Sequence, residues 1–234
     1  MNELKVLLVV PTYNEEYIIN ELIQKIKKSF SKAKIIIIDG YSKDSTIKIV
    51  KKNNIDVVQI DKIFGISLAI DTALMKANID NIDYLIRIDG DGQHLPSDVK
   101  QVFDCAIRDN IDLAIGSRFL DESDYKPNTV RRLGIDILSF FIKLLYKKKI
   151  MDCTSGCQII SKKLIKKITI DKNFEYSEIG IICKTLQSDC LLKEYFINMQ
   201  ERKGGQSTFN FINSCKYMSI NLINIIMSYN FKYK

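Results

Sequence analysis

Along the first half of the chain, short runs of apolar, mostly β-branched residues alternate with longer stretches whose apolar positions recur every three or four residues. The short runs are 5–10, 34–38, 56–60, 84–88 and 112–115. Their near-continuous Ile, Val and Leu content predicts strands covered on both faces. Helical spacing fills 15–30, 44–53, 65–78 and 96–109 between them. Such alternation predicts an α/β, Rossmann-like architecture: a mostly parallel central sheet with helices on both faces. Sheets of this kind bind ligands beyond the carboxyl ends of their strands, so functional residues are sought directly after each strand.

The second half follows a different pattern. A polar stretch runs from Gly116-Ser117-Arg118 to Asn128. A long helical pattern, a Thr154-Ser155-Gly156 turn, a helix around 176–186 and a strand-like 191–199 come next, then Gly204-Gly205. No linker or repeat interrupts this order, which predicts one domain over 1–208 followed by a C-terminal helical segment, 209–234. Segments 135–150 and 209–229 mix aliphatic and aromatic residues with Lys, as helices lying on a bilayer do; buried core helices share that composition. No uncharged apolar run reaches the roughly 18 residues of a membrane span, and the N-terminal run is too short for a secretory signal.

Composition narrows the chemistry. With 234 residues, 46% apolar and 27% charged, the chain is neither disordered, collagen-like nor disulfide-stapled. Its lone histidine, His94, argues against His-rich zinc sites and Ser-His-Asp catalysis. Six cysteines without CxxC spacing read as reduced thiols of a cytoplasmic protein. The net charge of +7 points to an anionic partner, and only six of the 35 cations are Arg. Where Lys is the default cation, Arg marks positions that need a planar fork for phosphate or carboxylate. Arg108, beside Asp109, reads as a surface cation.

The residues after the strands supply the candidates. Pro11-Thr12-Tyr13-Asn14-Glu15-Glu16 follows the first: Pro11 ends the strand, Asn14 suits a helix cap, and Tyr13 offers a face on which a base stacks. After the second strand, Asp44 suits a cap and leaves Asp39 as an unpaired acceptor for a base or ribose. After the fourth comes Asp89-Gly90-Asp91-Gly92-Gln93-His94-Leu95-Pro96. Two carboxylates two residues apart in a Gly-rich turn, followed by an amide oxygen, are hard ligands for Mg²⁺ or Mn²⁺ without a closed cage. An ordinary Asp-Gly turn is the alternative, but a repeated Asp-Gly at the end of a buried strand favours the metal. Arg118 after the fifth strand, Arg131, Arg132 and Arg202 all lie in loop contexts where an anion binds or passes. The cations form no basic stripe interleaved with aromatics, so nucleic acid is not expected as a partner.

From Val9 to about Thr208 these motifs resemble glycosyltransferase family 2, the inverting enzymes of the GT-A fold, and within it the polyprenyl-phosphate, dolichol-phosphate mannose synthase-like branch. The resemblance implies that Pro11, Tyr13, Glu15 and Asp39 hold the nucleoside, and that Asp89, Asp91 and Gln93 bind the divalent metal on the diphosphate. It further implies that Arg118 and Arg202 contact the diphosphate. Asp152 and Ser155-Gly156 match an acceptor-side motif, and Glu178 matches a Glu on the following helix. Departures occur at Gly40, at Gly65-Ile66-Ser67, at Gln158 and at Thr208, where the family often carries an Asp, a cation-bearing turn, a cation and a Lys.

The implied reaction is one in-line displacement on a UDP- or GDP-linked sugar, with Asp91 in the catalytic set and Mg²⁺ or Mn²⁺ neutralising the leaving group. The acceptor is an anionic lipid, a polyprenyl phosphate, or a lipid-linked or cell-surface glycan. Arg131, Arg132 and Ser155 are expected on its side. A phosphate acceptor attacks unaided, whereas a hydroxyl requires a base, for which Asp152 and Glu178 are candidates. The expected location is the cytoplasmic face of the membrane, as a peripheral protein. Two alternatives remain open at this point: a nucleotidyltransferase of similar fold, which needs a Gly-rich basic N-terminal loop, and a non-catalytic nucleotide-sugar-binding module.

Overall fold

A computed structural model describes residues 3–61, 65–120, 129–170, 177–200 and 211–231. Its elements run β1 (Val6–Thr12), α1 (Ile19–Ser29), β2 (Lys34–Asp39), α2 (Thr46–Lys52), β3 (Asp56–Gln59), α3 (Gly65–Ile79), β4 (Tyr84–Arg87) and α4 (Pro96–Arg108). They continue through β5 (Leu113–Ser117), α5 (Thr129–Tyr146), β6 (Gln158–Ser161), α6 (Lys162–Ile170), α7 (Glu178–Leu186), β7 (Leu192–Phe196) and α8 (Phe211–Phe231). The strands form one sheet in the order β3-β2-β1-β4-β6-β5-β7. Every pairing is parallel except those of β6, which runs antiparallel to both β4 and β5.

Side chains alternating along the strands feed two cores. Leu7 and Val9 of β1 pack with α3, α5, α6 and α7 on one face. Leu8 and Val10 pack with α1 and α4 on the other. Period-two alternation with apolar residues on both sides is why these strands read as continuous apolar runs. The expected parallel sheet with helices on both faces is the architecture found.

Two differences have physical causes. Helix α1 begins at Ile19 instead of residue 15, because Asn14 adopts φ 54° and the Glu15 and Glu16 amides donate to Thr46 Oγ1 at the start of α2 and to Asp44 Oδ2 in the loop before it. Asn14 is therefore no helix cap: its Oδ1 accepts from the Lys43 amide, and its own amide donates to Ser42 Oγ. Strand β6 and helix α6 lie where only a turn was expected. A four-residue strand followed at once by Lys162-Lys163 carries little local signal, and pairing with β4 and β5 creates it. The long helical pattern expected after Asn128 is α5, which begins at Thr129.

Helix α8, within the predicted C-terminal segment, packs on α5 and α7. Ile225 is fully buried in the core, and Tyr146 Oη donates to the Ile225 carbonyl at 3.1 Å. The outer faces of α5 and α8 leave Leu133, Ile137, Phe140 and Leu144, and Ile223 and Met227, exposed. Among the described residues, no helix is long and apolar enough to cross a membrane.

Candidate active site

The sheet's carboxyl edge between β1 and β4 gathers the candidates. Chain direction switches sides here, which opens a crevice. After β4, the Gly90 amide donates to the Pro11 carbonyl at 3.1 Å. A Cβ on Gly90 would sit 2.8 Å from that oxygen, so only glycine lets the Asp89–Asp91 turn lie this close to β1. Gly92 has φ +73°, the left-handed conformation that glycine adopts readily. Asp91 Oδ1 accepts from the Gln93 amide at 3.1 Å, closing the turn. Gln93 is placed differently from the two carboxylates: its side-chain amide donates to the Gln200 carbonyl at 3.1 Å, tying the loop to the chain after β7.

Asp89 is gripped from two sides. Arg87 Nη2 donates to its Oδ1 at 3.0 Å, and the Cα of Gly156 lies flat against the carboxylate, where a Cβ would fall 2.5 Å from Oδ1 and nearer still to Cγ and Oδ2. The side chain remains 36% exposed, so the group is held yet open to a ligand. Desolvation opposes its ionisation, but the Arg87 charge prevails and keeps its pKa below the usual carboxylate range. Beside it His94 is buried, and burial lowers its pKa against the opposing pull of Asp89 and Asp91. Neither His94 nitrogen has a partner among the described residues. Among the described residues, no group of three or more His, Cys, Asp or Glu is placed to hold a metal ion by itself. The set fits an ion such as Mg²⁺ or Mn²⁺ that takes one or two carboxylates and completes its shell with water and phosphate oxygens.

Several candidates are already bonded within the fold, and one expectation about their state requires correction. Asp39 is not an unpaired acceptor: fully buried, it accepts from the Ser42 amide at 2.8 Å, from Ser42 Oγ and from Thr12 Oγ1. Asp152 is fully buried, and both its oxygens accept from Arg118 at 2.6 Å, through Nε and Nη2. Glu178 is also buried, with Oε1 on Arg87 Nη2 at 2.8 Å and Oε2 accepting from Tyr217 Oη at 3.3 Å. Ser155 Oγ, also buried, donates to the Gly116 carbonyl at 2.6 Å and accepts from the Cys157 amide.

Pro11 does not end β1 but lies within it, one residue before its last, and Tyr13 and Glu15 follow on the loop, with Glu15 buried and Pro11 and Tyr13 partly exposed. Arg118 itself is 2% exposed and stacks over Phe119 at 5.3 Å. The Arg132 guanidinium covers the same ring at 4.1 Å and pairs with Asp136 at 3.0 Å, while Arg131 is exposed. Arg202 and the Gly205-to-Thr208 run lie outside the described residues.

Two further residues belong to this arrangement. Arg87 interrupts the apolar run Tyr84-Leu85-Ile86-Arg87-Ile88, and a charge inside a buried strand demands a partner, which is the signal that finds it. Glu194 of β7 accepts from the Met151 and Asp152 amides at 2.8 Å, fixing the loop that carries Asp152, and its pKa is raised because it is largely desolvated.

Residues 7–169 match the family model described as Glycosyl transferase family 2. The chain belongs to that family. This glycosyltransferase is 30% identical over 180 residues to the UDP-N-acetylglucosamine--dolichyl-phosphate N-acetylglucosaminyltransferase of Methanococcus voltae, covering 68% of this chain and 70% of that protein. It is 22% identical over 215 residues to the polyprenol monophosphomannose synthase of Mycolicibacterium smegmatis, with coverages of 87% and 80%. Among solved structures, glucosyl-3-phosphoglycerate synthase from Mycobacterium tuberculosis in complex with Mn²⁺, UDP-glucose and phosphoglyceric acid superposes with a TM-score of 0.71. That match covers 97% of this chain and 80% of the other at 16% identity, a likeness of the GT-A fold. Family membership sets aside the nucleotidyltransferase and non-catalytic alternatives.

Proposed function

We propose that this glycosyltransferase moves a sugar from a UDP- or GDP-linked donor onto a polyprenyl phosphate at a membrane surface, by a single inverting displacement. The observation carrying the acceptor class is that both candidate bases are buried and committed, Asp152 to Arg118 and Glu178 to Arg87 and Tyr217. A sugar hydroxyl must lose a proton to attack, whereas a phosphate oxygen already carries the charge. The relatives named for dolichyl phosphate and polyprenol support the same reading.

Asp89 and Asp91, and Gln93 if its amide turns inward, are the residues that would hold Mg²⁺ or Mn²⁺. The ion, when bound, supplies positive charge against the leaving diphosphate. Arg87 and Arg118 add fixed positive charge on the protein side, and Arg118 is locked in place by Asp152, so little reorganisation is needed as charge develops. Tyr13, Pro11, Glu15 and Asp39 form the nucleoside side; since the Asp39 carboxylate is already bonded, its part there is to shape the Thr12–Ser42 wall. Arg131 and Arg132 stand at the start of α5 on the acceptor side, with Arg202 assigned to the diphosphate. The open apolar stripes of α5 and α8, with Lys147-Lys148-Lys149 just after α5, suit a lipid surface carrying anionic headgroups.

The test is transfer of labelled sugar from UDP- and GDP-sugars, with Mn²⁺ or Mg²⁺, to polyprenyl phosphate and to the free polyprenol in parallel. Transfer to the phosphate alone is expected; equal or better transfer to the alcohol overturns the acceptor assignment. A thermal-shift series with UDP, GDP and CDP plus Mn²⁺ identifies the base by the largest stabilisation. Phe140→Glu with Leu144→Glu is expected to weaken sedimentation with anionic vesicles, and unchanged binding refutes the docking face.

A further inference from the structure

Arg87 occupies a costly position. It is 5% exposed in the middle of the sheet, where its strand neighbours Ile86 and Ile88 are fully buried. Replacing a buried ion pair by apolar residues is often neutral or stabilising, so stability alone gives no reason for a guanidinium here. Its Nη2 bridges two carboxylates, Asp89 Oδ1 at 3.0 Å and Glu178 Oε1 at 2.8 Å. Burial opposes its charge, and those two carboxylates outweigh the burial and raise its pKa.

The chain of contacts continues into the C-terminal helix. Glu178, the first residue of α7, accepts from Tyr217 Oη on the inner face of α8. One turn further on, Asn221 Oδ1 bonds the Ser177 hydroxyl that caps α7 through the Gly180 amide, and Asn221 Nδ2 donates back to the Tyr217 carbonyl. The face of α8 that carries Tyr217 and Asn221 therefore reaches the cluster behind Asp89, while Ile223 and Met227 on the same helix look outward.

We propose that Arg87 is a positioning residue for the donor-site carboxylate Asp89, and that Glu178 and Tyr217 hold Arg87 in turn, so that α8 is a working part of the donor site. Arg87 fixes Oδ1 and thereby the rotamer of Asp89, whose remaining open surface is presented to the ligand. Partners of this outer kind commonly change metal affinity by about 10- to 100-fold when removed. The proposal rests on the reading of Asp89 and Asp91 as a metal–diphosphate site.

The experiment compares the full chain with Arg87→Met, Arg87→Lys and Tyr217→Phe. For each, the Mn²⁺ concentration giving half-maximal binding of UDP and of GDP is measured, together with the melting temperature and the split between kcat and donor KM. Arg87→Met leaves the buried Glu178 carboxylate without its cation, so it is expected to melt below the wild-type temperature and, while still folded, to need at least about tenfold more Mn²⁺. Arg87→Lys recovers part of that loss, and Tyr217→Phe shows a smaller shift in the same direction. A folded Arg87→Met with Mn²⁺ dependence within twofold of wild type overturns the positioning role. An unshifted Tyr217→Phe overturns the part given to α8. If Arg87→Met fails to fold, Arg87→Lys and Tyr217→Phe decide by the same criterion. Wild-type protein that binds neither diphosphate with Mn²⁺ refutes the site reading itself, an outcome distinct from the others.

Discussion

Gly156→Ala separates the making of the site from the making of the fold. The glycine is not in the left-handed region, so alanine adopts its backbone without strain. What the new methyl meets is the Asp89 carboxylate: 2.5 Å to Oδ1, and less to Cγ and Oδ2. Carbon does not approach side-chain atoms within 3.0 Å, so the carboxylate must retreat by more than about 0.5 Å, which also stretches its 3.0 Å bond to Arg87. Asp89 is short and 36% exposed, so it swings aside at little cost to the fold. Stability is expected to change by no more than about 1 kcal/mol, and the reduced freedom of the unfolded chain works in the variant's favour. Catalysis is less tolerant, since a displacement approaching 1 Å costs up to about 100-fold. A 10- to 100-fold loss corresponds to about 1.4–2.7 kcal/mol of transition-state stabilisation. The assay pairs sugar-transfer rates at saturating Mn²⁺ with melting temperature. A folded variant that transfers within twofold of wild type refutes the argument. So does a large drop in melting temperature, which would mean that the backbone, and not Asp89, gave way.

Asp152→Ala leaves Arg118 buried without its bidentate partner, and a loss of about 3–5 kcal/mol is expected by denaturant unfolding; a loss below about 1 kcal/mol would show that the pair is dispensable. Burial pushes the thiols of Cys153, Cys157 and Cys183 up to about 12, so at pH 8 only about one in ten thousand is thiolate. Native protein should label at the exposed Cys215 and more slowly at Cys105, and raising the pH to 9 leaves the three buried thiols protonated and dependent on unfolding. Fast labelling of those three in folded protein contradicts their burial. Gly90→Ala, in contrast to Gly156→Ala, presses against the Pro11 backbone oxygen at 2.8 Å and Thr12, and is expected to cost about 1–3 kcal/mol of stability, checked by thermal unfolding; an unchanged melting temperature would show that the turn can move away from β1.

The sequence by itself determined the parallel sheet, its two helical layers and the Asp-Gly-Asp-Gly turn, because each is written in a local pattern: period two along strands, 3.6 along helices, glycine where the chain turns. Arg118, Asp152, Ser155 and Glu178 were visible as candidates for the same reason, through motifs a few residues long. Their actual uses were decided only by tertiary structure. Arg87 meets Glu178 across 91 positions and Arg118 meets Asp152 across 34, so no window of sequence contains both partners. Strand β6 has too few residues to announce itself, yet its insertion between β4 and β5 is what brings Gly156 against Asp89. Asp39 looked like a free acceptor because the Ser42 and Thr12 groups that satisfy it come together only when the β1 and β2 loops close on each other. A residue's chemistry is fixed by its type, but whether a carboxylate takes a proton, binds a metal or holds an arginine depends on which charges the fold places around it.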